Sequence, residues 1–219
     1  MERSAVETKN GGILQAMVEK YQRRVDKLKA QSDGGLASTI MAYEVMRDYY
    51  LAGTRAKEEG RTIACYDGYG AHEILFSMDV YPLNMEFLAY HMVKDTRKYV
   101  DVASEYGFAT DMCTSTRMEC GIAIAEDLPR PDFVVTSALT CDSCYKSCTF
   151  FSHHYDIPIF PLDCPYTINE ESIRYYAGEH RRLIEFIEGI TGRKFELERL
   201  MDVEERGRRI YNYFREIQD

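Results

Sequence analysis

Four short apolar runs, near residues 62, 81, 133 and 158 and each separated from the next by helix-forming sequence, limit the folds open to this chain more than any other feature. Phe133 to Leu139 (FVVTSAL) is apolar and β-branched throughout, the pattern of a parallel strand buried on both faces. Arg61 to Tyr66, Val80 to Met85 and Ile157 to Leu162 read as its partners. The stretches between them, Ala71 to Met78, Phe87 to Tyr106, Met118 to Ala125 and Cys141 to His154, read as helices. A strand can pair in parallel with its successor only through a crossover, so this alternation predicts an α/β fold: a doubly wound parallel sheet flanked by helices. At 219 residues and 45% apolar composition, the chain can bury one sizeable core.

Helical pattern continues on both sides of that unit. Ile13 to Ala30 places Ile13, Met17, Tyr21, Val25 and Leu28 at helical spacing. Ser38 to Leu51 resumes after the break Ser32-Asp33-Gly34-Gly35, giving an N-terminal helical arm over 1–58. The α/β domain is expected over 59–168. From Asn169 two amphipathic helices, about 169–190 and 196–217, form a C-terminal helical extension over 169–219, read as leading toward a further domain.

The formal net charge of −9 and a pI near 5.2 argue against a nucleic-acid surface. The basic clusters Arg23 to Lys29 and Arg206 to Arg209 alternate with acidic residues and read as solvated helix faces. The polar opening MERSAVETKNGG and the absence of a long apolar run predict a cytoplasmic protein without a membrane segment.

The chemistry lies in the cysteines. Six of the seven fall between Asp111 and Pro165. Cys141 follows the FVVTSAL strand on the loop at its carboxyl end, where open α/β sheets bind ligands. Cys113 sits on a second loop before a helix, in line with Asp111, Ser115 and Arg117. Such a cluster in a reducing compartment indicates metal or redox work rather than a disulfide framework. Cys141, Cys144 and Cys148 share one helix face at i, i+3 and i+7, but a rise of 1.5 Å per residue sets the first and last roughly 10 Å apart, too far for one cluster. Cys141 is therefore expected to ligate a metal, with Cys144 a second ligand or near neighbour. Cys148 and Cys120 are expected to be packing residues. From the residues alone, an iron–sulfur site, a zinc site, a thioredoxin-like Cys-x-x-Cys dithiol at a helix start, and inert buried thiols all stand. The loop Asp67-Gly68-Tyr69-Gly70 lets a backbone approach a ligand closely, though it lacks a nucleotide-binding spacing. His91 reads as a core histidine.

Three blocks in order carry a resemblance: GRTIACYDGYGAHEILFSMDVYPLNM, then YGFATDMCTSTR, then PDFVVTSALTCDSCYKS with IPIFPLDCPY. Over about residues 60–167 the chain resembles the N-terminal domain of subunits of the 2-hydroxyacyl-CoA dehydratase and benzoyl-CoA reductase family. That resemblance implies a [4Fe–4S] cluster with Cys113 and Cys141 among its ligands and Cys144 the nearest in-chain candidate for a third. It implies a lyase or reductase with one-electron, ketyl-radical-type chemistry on an acyl-CoA thioester. It also implies a related second subunit and an ATP-dependent iron–sulfur activator protein as partners. Glu73 matches a family glutamate near the acyl-CoA site, Ser115 and Arg117 line the cluster loop, and His72 or Glu73 would serve in proton transfer. The chain departs from the family pattern at Ala71-His72, at Ser77-Met78-Asp79, and in having Cys144 and Cys148 at all. Two rivals follow from the same residues: a non-catalytic accessory subunit, and a zinc- or dithiol-stabilised binding module.

Overall fold

A computed structural model describes residues 12–31, 36–67, 71–92, 96–139 and 141–218. The polar start, the break at 32–35 and the glycine loop at 68–70 lie outside the described residues. The described residues form two compact units, one drawn from within Met1–Gly60, Met85–Arg130 and His153–Tyr155, the other from within Arg61–Asn84, Pro131–Ser152 and Asp156–Asp219. No helix among the described residues is long and apolar enough to cross a membrane.

The first unit is helical. Helices α1 (Gly12–Lys29) and α2 (Ala37–Arg55) pack on each other as the N-terminal arm. The buried face of α1 is Ile13, Leu14, Met17, Tyr21 and Val25, the i, i+4 stripe its sequence carries. Tyr21 stacks on Tyr50 at 6.0 Å between ring centroids. The one helix expected from Phe87 to Tyr106 is instead two, α4 (Met85–His91) and α5 (Thr96–Tyr106). Met92 closes α4 by bonding back to the Ala89 carbonyl, a tighter turn than the α-helix makes. Helix α6 (Thr114–Ile124) lies close against α5, because Gly121 has no side chain to hold the two apart.

The second unit carries the sheet. Strands β1 (Ile63–Asp67), β2 (Tyr81–Asn84), β3 (Phe133–Ser137) and β4 (Ile159–Leu162) pair in the order β2-β1-β3-β4, all parallel. Every residue of β1, β2 and β3 is buried, so their sequences show apolar runs without alternation, with polar residues only toward the carboxyl ends: Asp67, Asn84, Thr136 and Ser137. The order reverses direction between β1 and β3, the α/β doubly wound arrangement expected. Asp67 and Thr136 pair at the carboxyl ends of those two strands.

Helices α3 (His72–Ser77), α7 (Asp142–Tyr155), α8 (Glu170–Thr191) and α9 (Leu197–Gln218) complete the elements. Ile74, Leu75 and Met78 from α3 and its end join Leu183 and Ile187 of α8 around Ala64, Val135, Phe133 and Leu162 of the sheet. Each such side chain contributes roughly 1.5–3 kcal/mol on burial. Asn169 caps α8 by accepting from the Ser172 N–H at 2.9 Å, and Gly192 ends it at a left-handed φ of 68°. Arg193 then reaches the Asp79 carboxylate at 2.8 Å, where Arg61 also binds at 3.2 Å, fastening the end of α3.

Candidate functional site

At the carboxyl end of β1, Asp67 is only 1% exposed. Helix α7 brings Ser147 and Cys144 to it: the Ser147 hydroxyl lies 3.4 Å from Asp67 Oδ2 and 2.9 Å from the Cys144 carbonyl. The Cys144 thiol is half-buried and hydrogen-bonds both Asp67 and Cys141. Burial first, and then the neighbouring carboxylate, push its pKa well above the ordinary thiol range, so it is held as a thiol. Cys141 stands just before the first residue of α7 and is exposed. Cys148, one further turn along, is fully buried, as expected of a packing residue.

In the first unit, Cys113 is exposed at the N-cap of α6, with extended-type φ/ψ of −49° and 129°. It makes no full capping hydrogen bond. The backbone N–H of Thr116 nevertheless lowers the Cys113 pKa, burial opposes this, and the Ser115 N–H and Thr116 hydroxyl add to the lowering. Free N–H groups at a helix start favour a thiolate there. Helix α6 begins four residues before the expected Met118, so Ser115 and Arg117 belong to its first turn rather than to the loop. The Ser115 hydroxyl is 3.1 Å from Glu119 Oε1. Arg117 is buried and donates to the Thr110 carbonyl at 3.1 Å and the Ser104 hydroxyl at 2.6 Å, tying the loop before Cys113 to α5. Cys120 is fully buried.

Around α3, His72 Nε2 lies 3.1 Å from Glu73 Oε1, and the imidazole stacks on Tyr66. Beside them lies a cavity of about 430 Å³ lined by Glu73, Tyr176, His180, Arg181, Leu200 and Glu204 among others. His180 donates to the Tyr176 carbonyl through Nδ1–H at 2.8 Å. Sequence reasoning named Glu73 but missed His180, Arg181 and Glu204 as neighbours of it. The signal is Tyr176, His180 and Ile184, spaced i, i+4 along one face of α8.

The donor set can be tested against an iron–sulfur group. Cys113 fits a thiolate ligand, being exposed, helix-capping and of lowered pKa. Cys141 fits by exposure and by its place at a helix start. Cys144 does not fit while its thiol is turned to Asp67. Among the described residues, no three His, Cys, Asp or Glu side chains are grouped so as to hold a metal ion.

Comparison with known proteins places these features. The family model for 2-hydroxyglutaryl-CoA dehydratase, D-component, matches residues 68–219. The chain is 24% identical over 189 residues to the (R)-2-hydroxyisocaproyl-CoA dehydratase alpha subunit of Clostridioides difficile, covering 80% of this chain and 46% of the relative. It is 28% identical over 110 residues to the (R)-phenyllactyl-CoA dehydratase alpha subunit of Clostridium sporogenes, covering 46% of this chain and 27% of the relative. It is 27% identical over 146 residues to the lactoyl-CoA dehydratase subunit alpha of Anaerotignum propionicum, covering 56% and 35% respectively. The chain thus spans less than half the length of each relative. With the family model covering more than two thirds of its residues, this chain belongs to the 2-hydroxyglutaryl-CoA dehydratase D-component family.

Proposed function

We propose that the chain is an iron–sulfur subunit of an enzyme that dehydrates or reduces an acyl-CoA thioester, with Cys113 and Cys141 each supplying a thiolate to a [4Fe–4S] cluster. Cys113 carries this reading: an exposed thiol whose pKa is lowered by the N–H groups of α6, in a chain whose relatives are named as acyl-CoA dehydratase alpha subunits. Bound there, such a cluster supplies one-electron chemistry at low potential, which the loss of an unactivated β-hydrogen next to a thioester requires.

The chain's own residues would do the rest. The N–H groups of Ser115 and Thr116 stabilise negative charge at Cys113 Sγ. Ser115 steadies Glu119 on the same helix. Glu73 holds a carboxylate at the edge of the α3 cavity, and its partner His72 holds a proton on Nε2, so the pair can accept and return a proton beside a bound acyl group. A related second subunit and an ATP-dependent iron–sulfur activator protein complete the proposed assembly, and the proposed location is the cytoplasm.

The test is anaerobic purification with iron and acid-labile sulfide analysis and a visible spectrum, for wild type and for Cys113→Ser and Cys141→Ser. About four irons per chain or per dimer, with the brown absorbance lost in each variant, is the expected result. Iron absent under strict anaerobiosis, or retained in full by both variants, overturns the assignment.

A further inference from the structure

The Cys-x-x-Cys pair at the start of α7 has a feature that ligation of a metal by Cys141 leaves unused. Cys144 is one helical turn beyond Cys141, and their side chains already hydrogen-bond each other. Residues three apart on a helix have Cβ atoms roughly 5–6 Å apart. A disulfide needs about 3.5–4.5 Å, and Cys141, which precedes the first helical residue and is tied to α7 through its carbonyl, accepting from the Tyr145 N–H at 3.0 Å, can make up the difference by turning its side chain. The two thiols are differently placed. Cys141 is exposed and reachable from solvent, while Cys144 is half-buried and fixed by the 1%-exposed Asp67, itself bonded by Ser147. An accessible attacking sulfur with a sheltered resolving sulfur behind it is the arrangement that thiol–disulfide exchange uses. Of the remaining cysteines, Cys65, Cys120 and Cys148 are buried, Cys164 lies toward the Pro165 carbonyl at 3.8 Å, and Cys113 is exposed but the next cysteine along α6, Cys120, is fully buried.

We propose that Cys141 and Cys144 form a redox-active dithiol, which in the cluster-free chain closes to an intrahelical disulfide by exchange with a low-molecular-weight disulfide. Cys141 Sγ attacks one sulfur of the small disulfide, breaking its S–S bond, forming a mixed disulfide and releasing one small thiol. Cys144, its thiol proton passing to the Asp67 carboxylate it is bonded to, then attacks Cys141 Sγ through its own Sγ, forming the protein disulfide and expelling the second small thiolate, which takes up that proton. The two protein thiols are oxidised, the small disulfide is reduced, and the two thiol protons leave on the released thiols. The inference does not depend on cluster binding. Its consequence for that reading is that the oxidised pair leaves no free thiolate at Cys141.

The experiment uses the full chain, freed of iron, reduced, stripped of reductant and exposed to oxidised glutathione without air. It is then quenched with acid, alkylated and mapped by peptide mass spectrometry. Cys141 and Cys144 are expected to escape alkylation on one peptide linking them, while exposed Cys113 carries at most a glutathione adduct of its own. Cys144→Ser is expected to stop at the first step and accumulate glutathione on Cys141, whereas Cys148→Ser closes the bridge as wild type does. The wild-type map needs no variant to fold, so the proposal is open to refutation by it alone. Both thiols still alkylated while other cysteines are modified, linkage only after denaturation, or Cys144→Ser without the adduct each overturn it. Because the readout is a covalent map, it fails or succeeds separately from the iron content.

Discussion

His72 Nε2 sits 3.1 Å from Glu73 Oε1, an ion pair between consecutive residues in the first turn of α3. The hydrogen bond that His72 donates to Glu73 raises the His72 pKa, with burial opposing and the Glu73 and Glu204 charges adding to the rise. The same bond lowers the Glu73 pKa, burial again opposing. A histidine raised on folding contributes stability that is full below about 6.5 and is lost as pH rises through its folded pKa. A lowered glutamate contributes above its unfolded pKa of about 4.3 and loses that contribution as pH falls through its folded value. The pair is therefore strongest between the two. Following the His72 ring protons by NMR, Glu73→Gln is expected to bring the His72 midpoint down toward 6.5. An unchanged midpoint would show that the pair does not form in solution.

Tyr50 and His91 meet in the first unit, the hydroxyl 2.5 Å from Nδ1. Burial, reinforced by Lys20 and Arg24, lowers the His91 pKa. The Lys20 ammonium donates to the His91 carbonyl, Tyr21 presents its ring edge-on at 5.7 Å, and the Phe87 ring lies tilted against the imidazole at 5.7 Å. A neutral histidine here supports the fold above about pH 6.5, and that support is lost as pH falls through the lowered folded pKa. Urea midpoints for wild type are expected to drop on acidification over this range, and His91→Gln is expected to remove that part of the slope. At neutral pH, Tyr50→Phe leaves the imidazole without its partner and is expected to cost about 1–3 kcal/mol.

Strand β3 was legible because burial on both faces leaves a nearly continuous apolar run, and Phe133–Ser137 falls inside the FVVTSAL stretch that announced it. Helix α6 was read four residues short because its apolar pattern begins at Met118, while its first turn is the polar Thr114-Ser115-Thr116-Arg117. Burial of Arg117 was invisible for the same kind of reason. A charged side chain enters the interior only through specific partners, and Ser104 and Thr110 declare themselves only once α5 and its loop are in place. Cys113 and Cys141 could be picked out as ligands by position after a strand or before a helix. The attachment of Cys144 to Asp67 joins residues far apart in sequence, and no spacing rule reports it. The cavity beside Glu73 was hidden likewise, since α3 lies about a hundred residues before the helices that line it.

Gly121 marks the closest approach of α5 and α6. A Cβ there would lie 1.9 Å from the Tyr99 carbonyl oxygen, which is backbone and cannot swing aside. Gly121→Ala is expected to force the helices apart and cost about 3 kcal/mol. Chemical denaturation measures it directly, and a loss under about 0.5 kcal/mol, the range of ordinary surface substitutions, would mean the helices do not pack this closely.

Three helices end on an acidic residue in the left-handed region, where glycine is usual: Asp79 after α3 (φ 56°), Glu126 after α6 (φ 55°) and Asp156 after α7 (φ 51°). For a residue with a Cβ this conformation costs about 1–2 kcal/mol, part of which glycine returns in the greater entropy of the unfolded chain. Glu126 and Asp156 are exposed, so Glu126→Gly and Asp156→Gly are each expected to raise stability by about 0.5–1 kcal/mol. Asp79 differs because its carboxylate binds Arg61 at 3.2 Å and Arg193 at 2.8 Å. These part-exposed ion pairs contribute about 0–1 kcal/mol each, enough to cancel the backbone gain. Asp79→Gly is therefore expected to rank below the other two and at or below wild type in thermal denaturation. An equal gain at all three positions would show that the two arginines do not hold the end of α3.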